Sequence, residues 1–193
     1  MSKTLYFITG NDYKLAIAQK AVAATPSIIL ERRKIECPEI QSHSNDDVAI
    51  FSARYAADFL QLPVVVSDAG FTIDALNGFP GPFIKYINDW LTPEDILAIM
   101  KDKTNRRATF IDVLAYAEPG QEPVLFREEA SGTLTYAAKN ISTAKNIGMI
   151  NSIWIPDGFT KTTAEMSDGE LLSLWSDKKW TDLAAYVLSK DIS

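Results

Sequence analysis

Cysteine and histidine are almost missing from this chain: Cys37 and His43 each stand alone. A lone cysteine makes no intrachain disulfide, so a reducing, cytoplasmic setting is expected. His43 has no second histidine with which to build a metal site and reads as a loop residue. A catalytic Cys37 would want a histidine partner, and His43 is the only one; a small apolar filler is the plainer reading. Excess positive charge is missing as well. The net charge of −6 argues against a general nucleic-acid binder. No apolar run approaches the ~20 residues of a membrane span. The opening MSKTLYFITGN lacks a signal-peptide pattern and reads as a first strand. No internal repeat or low-complexity tract is present. Neither a nucleic-acid nor a membrane partner is expected.

What is present is an ordinary globular composition. With 193 residues, 47% hydrophobic and 23% charged, the chain can bury a real core in one domain or two closely joined lobes. It is organised around Val64 to Asn88. Val64-Val65-Val66 reads as a buried strand that ends abruptly at Ser67-Asp68-Ala69-Gly70, delivering a carboxylate to its C-terminal end. Ligands in open α/β sheets gather at such ends. Gly78-Phe79-Pro80-Gly81-Pro82 then forces a tight turn, with Pro82 placed to open a helix over Phe83 to Trp90. One rigid segment would thus carry an acid, Asp68, and a base, Lys85.

A second stretch suits an anion. Thr4 to Thr9 reads as a strand, Thr9-Gly10-Asn11 as a turn and Tyr13 to Ala24 as a helix. Backbone N–H groups and the dipole at a helix start favour phosphate. Lys14 sits in the first turn, where the dipole disfavours a cation and a bound anion would correct the mismatch. The alternative is a Thr-Gly-Asn cap with a solvated lysine.

Further elements follow from pattern. Ile28 to Arg33 is a strand candidate, and Pro38 keeps its predecessor extended. Ser44 to Leu60 is a helix with a capping box, Ser44 to Asp47, and a core stripe of Val48, Phe51, Tyr55 and Phe59. Thr92-Pro93-Glu94-Asp95 starts a helix that ends near Met100. Lys101 to Arg107 reads as a solvated basic loop. Ala108 to Ala117 and Val124 to Thr135 read as a hairpin around Glu118-Pro119-Gly120-Gln121. Asn140 to Asn146 is polar and loop-like, and Ser167 with Glu170 forms a capping box.

Three blocks carry a resemblance. They are Phe7 to Lys14, the central Asp68 to Pro82 stretch, and Pro156-Asp157-Gly158-Phe159 with Lys161-Thr162 and Ala164-Glu165-Met166. In this order, over nearly the whole chain, they resemble the inosine triphosphate pyrophosphatases, the Ham1-like or non-canonical purine NTP pyrophosphatases. The resemblance implies an α/β fold: an elongated mixed β-sheet flanked by helices, in two lobes with a cleft between them, as a single domain over residues 1–193. It implies hydrolysis of a nucleoside triphosphate to the monophosphate and pyrophosphate, with magnesium, by a homodimer. Thr9, Gly10, Asn11 and Lys14 resemble the family's triphosphate loop, and Lys85 would add a second cation. Glu39, in Pro38-Glu39-Ile40-Gln41, falls where the family has a magnesium-holding glutamate. Asp68 would hold metal or act as the base.

The chain also departs from the family. Ser52 stands where a helical lysine reaches the substrate phosphates, and Arg54, about 200° further round the helix, cannot simply replace it. Ser67 and Ala69 flank Asp68 where the family has an acid and a hydroxyl. Gly148-Met149-Ile150-Asn151-Ser152 replaces Phe-Gly-(Trp/Tyr)-Asp-Pro of the base pocket. Leu171 and Trp175-Ser176-Asp177 fall where a lysine and Ser-His-Arg are expected, on a helix kept without its cations. Two readings follow: a pyrophosphatase with altered base selectivity, or a nucleotide-binding relative without turnover.

Overall fold

The computed structural model describes residues 2–139 and 148–190; the polar stretch 140–146 lies outside them. Strand β1 (Lys3–Ile8) leads through α1 (Asp12–Val22) to β2 (Ile28–Arg33), then through α2 (Asn45–Leu60) to β3 (Val64–Ile73). β1 pairs in parallel with both β2 and β3, so the chain moves out to β2 and then back past β1. Right-handed crossovers on both connections put α1 and α2 on opposite faces of these strands.

Side-chain alternation agrees. Val65 shares a buried cluster with Leu5 and Phe7 of β1 and with Ala18, Ala21 and Val22 of α1. The buried alanines of α2, Ala49, Ala53, Ala56 and Ala57, are not part of it. Odd-numbered positions of β3 near Val65 therefore face α1, and even-numbered ones face away.

The remaining elements are β4 (Pro80–Gly81), α3 (Ile84–Trp90), α4 (Pro93–Ile99), β5 (Arg107–Ala117), β6 (Val124–Leu134), β7 (Trp154–Pro156), α5 (Asp168–Ser173) and α6 (Lys178–Ser189). The mixed sheet runs β2-β1-β3-β5-β6-β7, with β4 antiparallel to β3. The chain divides into two compact units. The first holds Met1–Asp68, Asp112–Glu128 and Ser176–Ser193; the second holds Ala69–Ile111 and Glu129–Trp175.

In the first unit, Trp180, Leu183, Ala184 and Val187 of α6 join the α1 cluster, with Phe7 and Trp180 edge-on at 5.3 Å. The second unit is built on Phe71, Phe110 and Trp154, whose ring centroids lie 4.5 to 6.0 Å apart. Gly132 of β6 is required there: a Cβ would sit 2.3 Å from the Ile155 carbonyl and 2.6 Å from Trp154 Nε1. Any side chain would push β7 off its partner.

Several expectations change. β3 does not end at Ser67. It runs ten residues to Ile73, because after β1 stops it takes β4 as an antiparallel partner, with Phe71 opposite Gly81 and Thr72 opposite Pro80. Asp68 therefore lies just past the end of β1 rather than at the end of its own strand. The turn that returns β4 uses Gly78 and Gly81 in the left-handed region, where glycine carries no Cβ penalty.

The core face of α2 is its alanine row, not the Val48, Phe51, Tyr55, Phe59 stripe. Small side chains let the helix approach closely; the large ones flank the contact, and Phe59 is 65% exposed, stacked on Tyr55. Ser44 caps the Asp47 N–H as expected, but Asp47 accepts from Ser42 Oγ instead of closing the box. The basic loop is not wholly solvated. Arg106 is buried, donating to the Met100, Leu134 and Thr135 carbonyls, with its guanidinium 4.3 Å from the Tyr136 ring centre. The Pro82 helix begins later, at Ile84.

Candidate active site

The order β2-β1-β3 reverses direction between β1 and β3. Such reversals open a crevice at the C-terminal ends of parallel strands, where α/β proteins bind ligands. The Ile8↔Val66 register brings two chain segments to this place: Thr9-Gly10-Asn11 leaving β1, and Ser67-Asp68 continuing β3.

The first segment is a helix cap. Asn11 Oδ1 accepts from the Tyr13 and Lys14 N–H groups at 2.9 and 3.2 Å, and the Asn11 N–H donates to Thr9 Oγ1. The cap half of the alternative reading is therefore right, and two amides that an anion could have used already serve Asn11. Gly10 is exposed, with no atom within 4 Å of where a Cβ would stand, so the loop is open on that side.

Lys14 is not a solvated lysine. It is half-buried and spans from α1 to β3, donating from Nζ to the Ser67 carbonyl at 2.8 Å. That places a cation on the peptide immediately before Asp68. Asp68 is half-buried too, and its Oδ2 accepts from Asn45 Nδ2 at 2.6 Å. Asn45 is 4% exposed and occupies the first turn of α2, after the Ser44 cap. A donor locked in a helix fixes the carboxylate plane. Pattern reading missed Asn45. Its signal was a polar residue at the start of a helix whose inner face is otherwise alanine.

Other named residues are distributed differently. Glu39 is exposed in the connection between β2 and α2. Lys85 is exposed on α3 in the second unit, with Nζ 5.6 Å from the Tyr86 ring centre, whereas Asp68 closes the first unit. The two do not share one compact segment. Ser52 is half-buried, and Arg54 is paired with Glu122, so the helical lysine is not replaced from its own helix. Cys37 Sγ lies 4.0 Å from the Ser52 carbonyl, and burial pushes its thiol above its ordinary value, away from a reactive thiolate. His43 is exposed.

The downstream blocks are structural in their visible contacts. Asp157 takes both arms of Arg107 at 2.7 Å. Thr162 and Glu165 close a capping box, as do Ser167 and Glu170. Asn151 is held at both ends, donating to the Gly148 carbonyl and accepting from Thr163 Oγ1. The expected single C-terminal helix is two helices. α5 ends at Ser173, Trp175 and Ser176 lie between, and Asp177 immediately precedes α6 with no capping hydrogen bond from its side chain. Nor is the region free of cations, since Lys179 on α6 is buried against Asp112.

Comparison with known proteins agrees with this architecture. The sequence profile of the Ham1 family matches residues 5–174. A dITP/XTP pyrophosphatase of Methanopyrus kandleri is 41% identical over 160 residues, 83% of this chain and 82% of that protein. An inosine triphosphate pyrophosphatase of Batrachochytrium dendrobatidis is 32% identical over 165 residues, covering 85% and 83%. Among solved structures, a HAM1 protein from Coxiella burnetii superposes with a TM-score of 0.79 at 23% identity, over 98% of this chain and all of that one.

Proposed function

The chain belongs to the Ham1 family, and from that premise we propose that it hydrolyses nucleoside triphosphates to the monophosphate and pyrophosphate, with base selectivity altered from the family's preference for 6-oxo purines. The carrying observation is the convergence at the β1/β3 reversal: a capped, open loop, the Lys14 cation and the oriented Asp68 carboxylate within one unit. Relatives named as dITP/XTP and inosine triphosphate pyrophosphatases support the same reaction class.

In this reading Thr9, Gly10, Asn11 and Lys14 hold the phosphate chain, joined by Lys85. Lys14 exchanges the Ser67 carbonyl for a phosphate oxygen, a stronger charge-assisted partner. Asp68, with one oxygen gripped by Asn45, either aligns the attacking water or holds metal. No group of three or more His, Cys, Asp or Glu side chains able to hold a metal occurs among the described residues. Magnesium keeps several waters and takes one or two carboxylates plus substrate phosphates, so a pair of carboxylates would suffice for it. Glu39 and Asp68 are the carboxylates assigned to it. When bound, it neutralises charge on the phosphates at the anhydride being cleaved. The lone Cys37 fits the reducing cytoplasm, where we place the protein as a homodimer of single-domain chains.

The test is product identification by ³¹P NMR with magnesium and ITP. Monophosphate plus pyrophosphate is expected. Orthophosphate would overturn the cleavage site, and nucleotide binding without product would favour the reading without turnover.

A further inference from the structure

Resting on the reading of Asp68 as the reacting-site carboxylate, we infer that Lys179 is a positioning residue for Asp68, acting through Asp112 and Ser67. Ser67 and Asp68 are neighbours on β3, so their side chains leave on opposite faces. Ser67 shares the Val65 face, toward α1 and α6; Asp68 points the other way, to Asn45 of α2. Asp112 stands two residues before Leu114, and Glu128 two after Phe126, on that same inward face.

The links are short and directional. Ser67 Oγ donates to Asp112 Oδ1 at 3.0 Å, and Asp112 Oδ2 accepts from Lys179 Nζ at 2.5 Å. Lys179 also lies 3.4 Å from Glu128 Oε2, while Glu128 Oε1 accepts from the Ser176 N–H at 2.6 Å. The side chains of Lys179, Asp112 and Glu128 are 2%, 22% and 15% exposed. With the Ser67 carbonyl held by Lys14, the residue preceding Asp68 is fixed by its hydroxyl and by its carbonyl.

A buried ion cluster is a poor source of stability, since apolar residues of equal volume often serve as well. One cation between two carboxylates is a costly arrangement unless it fixes something. Here it fixes the direction of the Ser67 hydroxyl, and with it the backbone twist that aims Asp68. Small displacements of a reacting group are enough to matter: ~1 Å can cost ~100-fold.

The test compares Ser67→Ala, Lys179→Met, Lys179→Arg and the Ser67→Ala/Lys179→Met double variant. Ser67→Ala removes the link while leaving the ion cluster intact, so it decides the matter even where Lys179→Met fails to fold. We expect kcat to fall about tenfold in Ser67→Ala with KM within about twofold. Lys179→Met should lose at least as much, the double variant no more than Lys179→Met, and Lys179→Arg should keep part of the activity. In nucleotide-free and metal-free protein, the Asp68 amide should exchange its hydrogen about tenfold faster in Ser67→Ala. Wild-type kcat in Ser67→Ala, or unchanged exchange at Asp68, overturns the positioning role while an inactive Asp68→Asn leaves the function standing. An active Asp68→Asn overturns the function and this role together.

Discussion

Two stretches of this molecule have kept different things. Around Thr9 to Lys14 and at Asp68, the residues that match the family pattern are tied to their surroundings: Asn11 to its helix, Lys14 to the Ser67 carbonyl, Asp68 to Asn45. Around residues 148–152 and 171–177, a 3-10 turn and the Ser167–Glu170 capping box hold the backbone, while the side chains differ from the pattern that the family resemblance implies for the base pocket. The chemistry of cleavage depends on a few atoms at fixed places, so its residues cannot drift. Recognition of a base depends on pocket shape and a few donors, which can change while the scaffold stays.

The largest expected effect breaks the first half of that contrast. Asp68→Asn keeps the shape and the Asn45 contact region but loses a carboxylate, and turnover should fall at least ~100-fold in a folded protein. Near-normal activity would remove Asp68 from the site. Next comes the scaffold half. Arg106 donates to three carbonyls while buried, so Arg106→Leu should lower urea-measured stability by about 2–3 kcal/mol. A loss below about 0.5 kcal/mol would mean that these carbonyls find other partners.

Lys14→Ala should weaken a triphosphate about tenfold more than a monophosphate in calorimetric titration. Equal losses for ITP and IMP would detach Lys14 from the phosphate chain. The smallest effect concerns acid. Lys161 and the Ser167 backbone and hydroxyl hold the Glu170 carboxyl down to about 2, below its ordinary 4.5. A depressed folded pKa stabilises the fold above the unfolded value and loses that contribution as pH falls toward the folded one. Glu170→Gln should therefore lose less stability than wild type between about pH 5 and about pH 3, read from unfolding midpoints. Parallel curves would show that this ion pair contributes nothing.

Much of this was legible in order and spacing. The β1 strand, its Asn11 cap, the helix start at Thr92-Pro93 and the Glu118 to Gln121 hairpin follow local rules that neighbours do not override. What sequence hid was tertiary. β3 outruns its valines because β4 returns to pair with it, and nothing near Ser67 announces that. The α2 stripe misled because hydrophobic size and burial part company when a helix packs closely on a sheet through alanine. Arg106 looked solvated among charged neighbours, yet the carbonyls of Met100, Leu134 and Thr135 need donors. Lys179 and Asp112 are 67 positions apart, and the packing of α6 into the buried cluster that includes Leu114 of β5 brings them together.

The contrast itself is tested most directly by pyrophosphate release with magnesium, comparing kcat/KM for ITP, XTP, ATP and a pyrimidine triphosphate. A site that hydrogen-bonds the oxo group can reject an analogue by ~10⁴-fold. Leu171 offers no such group, and Asp177, an acceptor when ionised, suits an amino group better. Release is expected from all purine triphosphates, abolished in Asp68→Asn, with ITP favoured over ATP by less than about 100-fold, some 2.7 kcal/mol. A larger preference would show that the 6-oxo reader persists by another route, and release that survives Asp68→Asn would contradict the site.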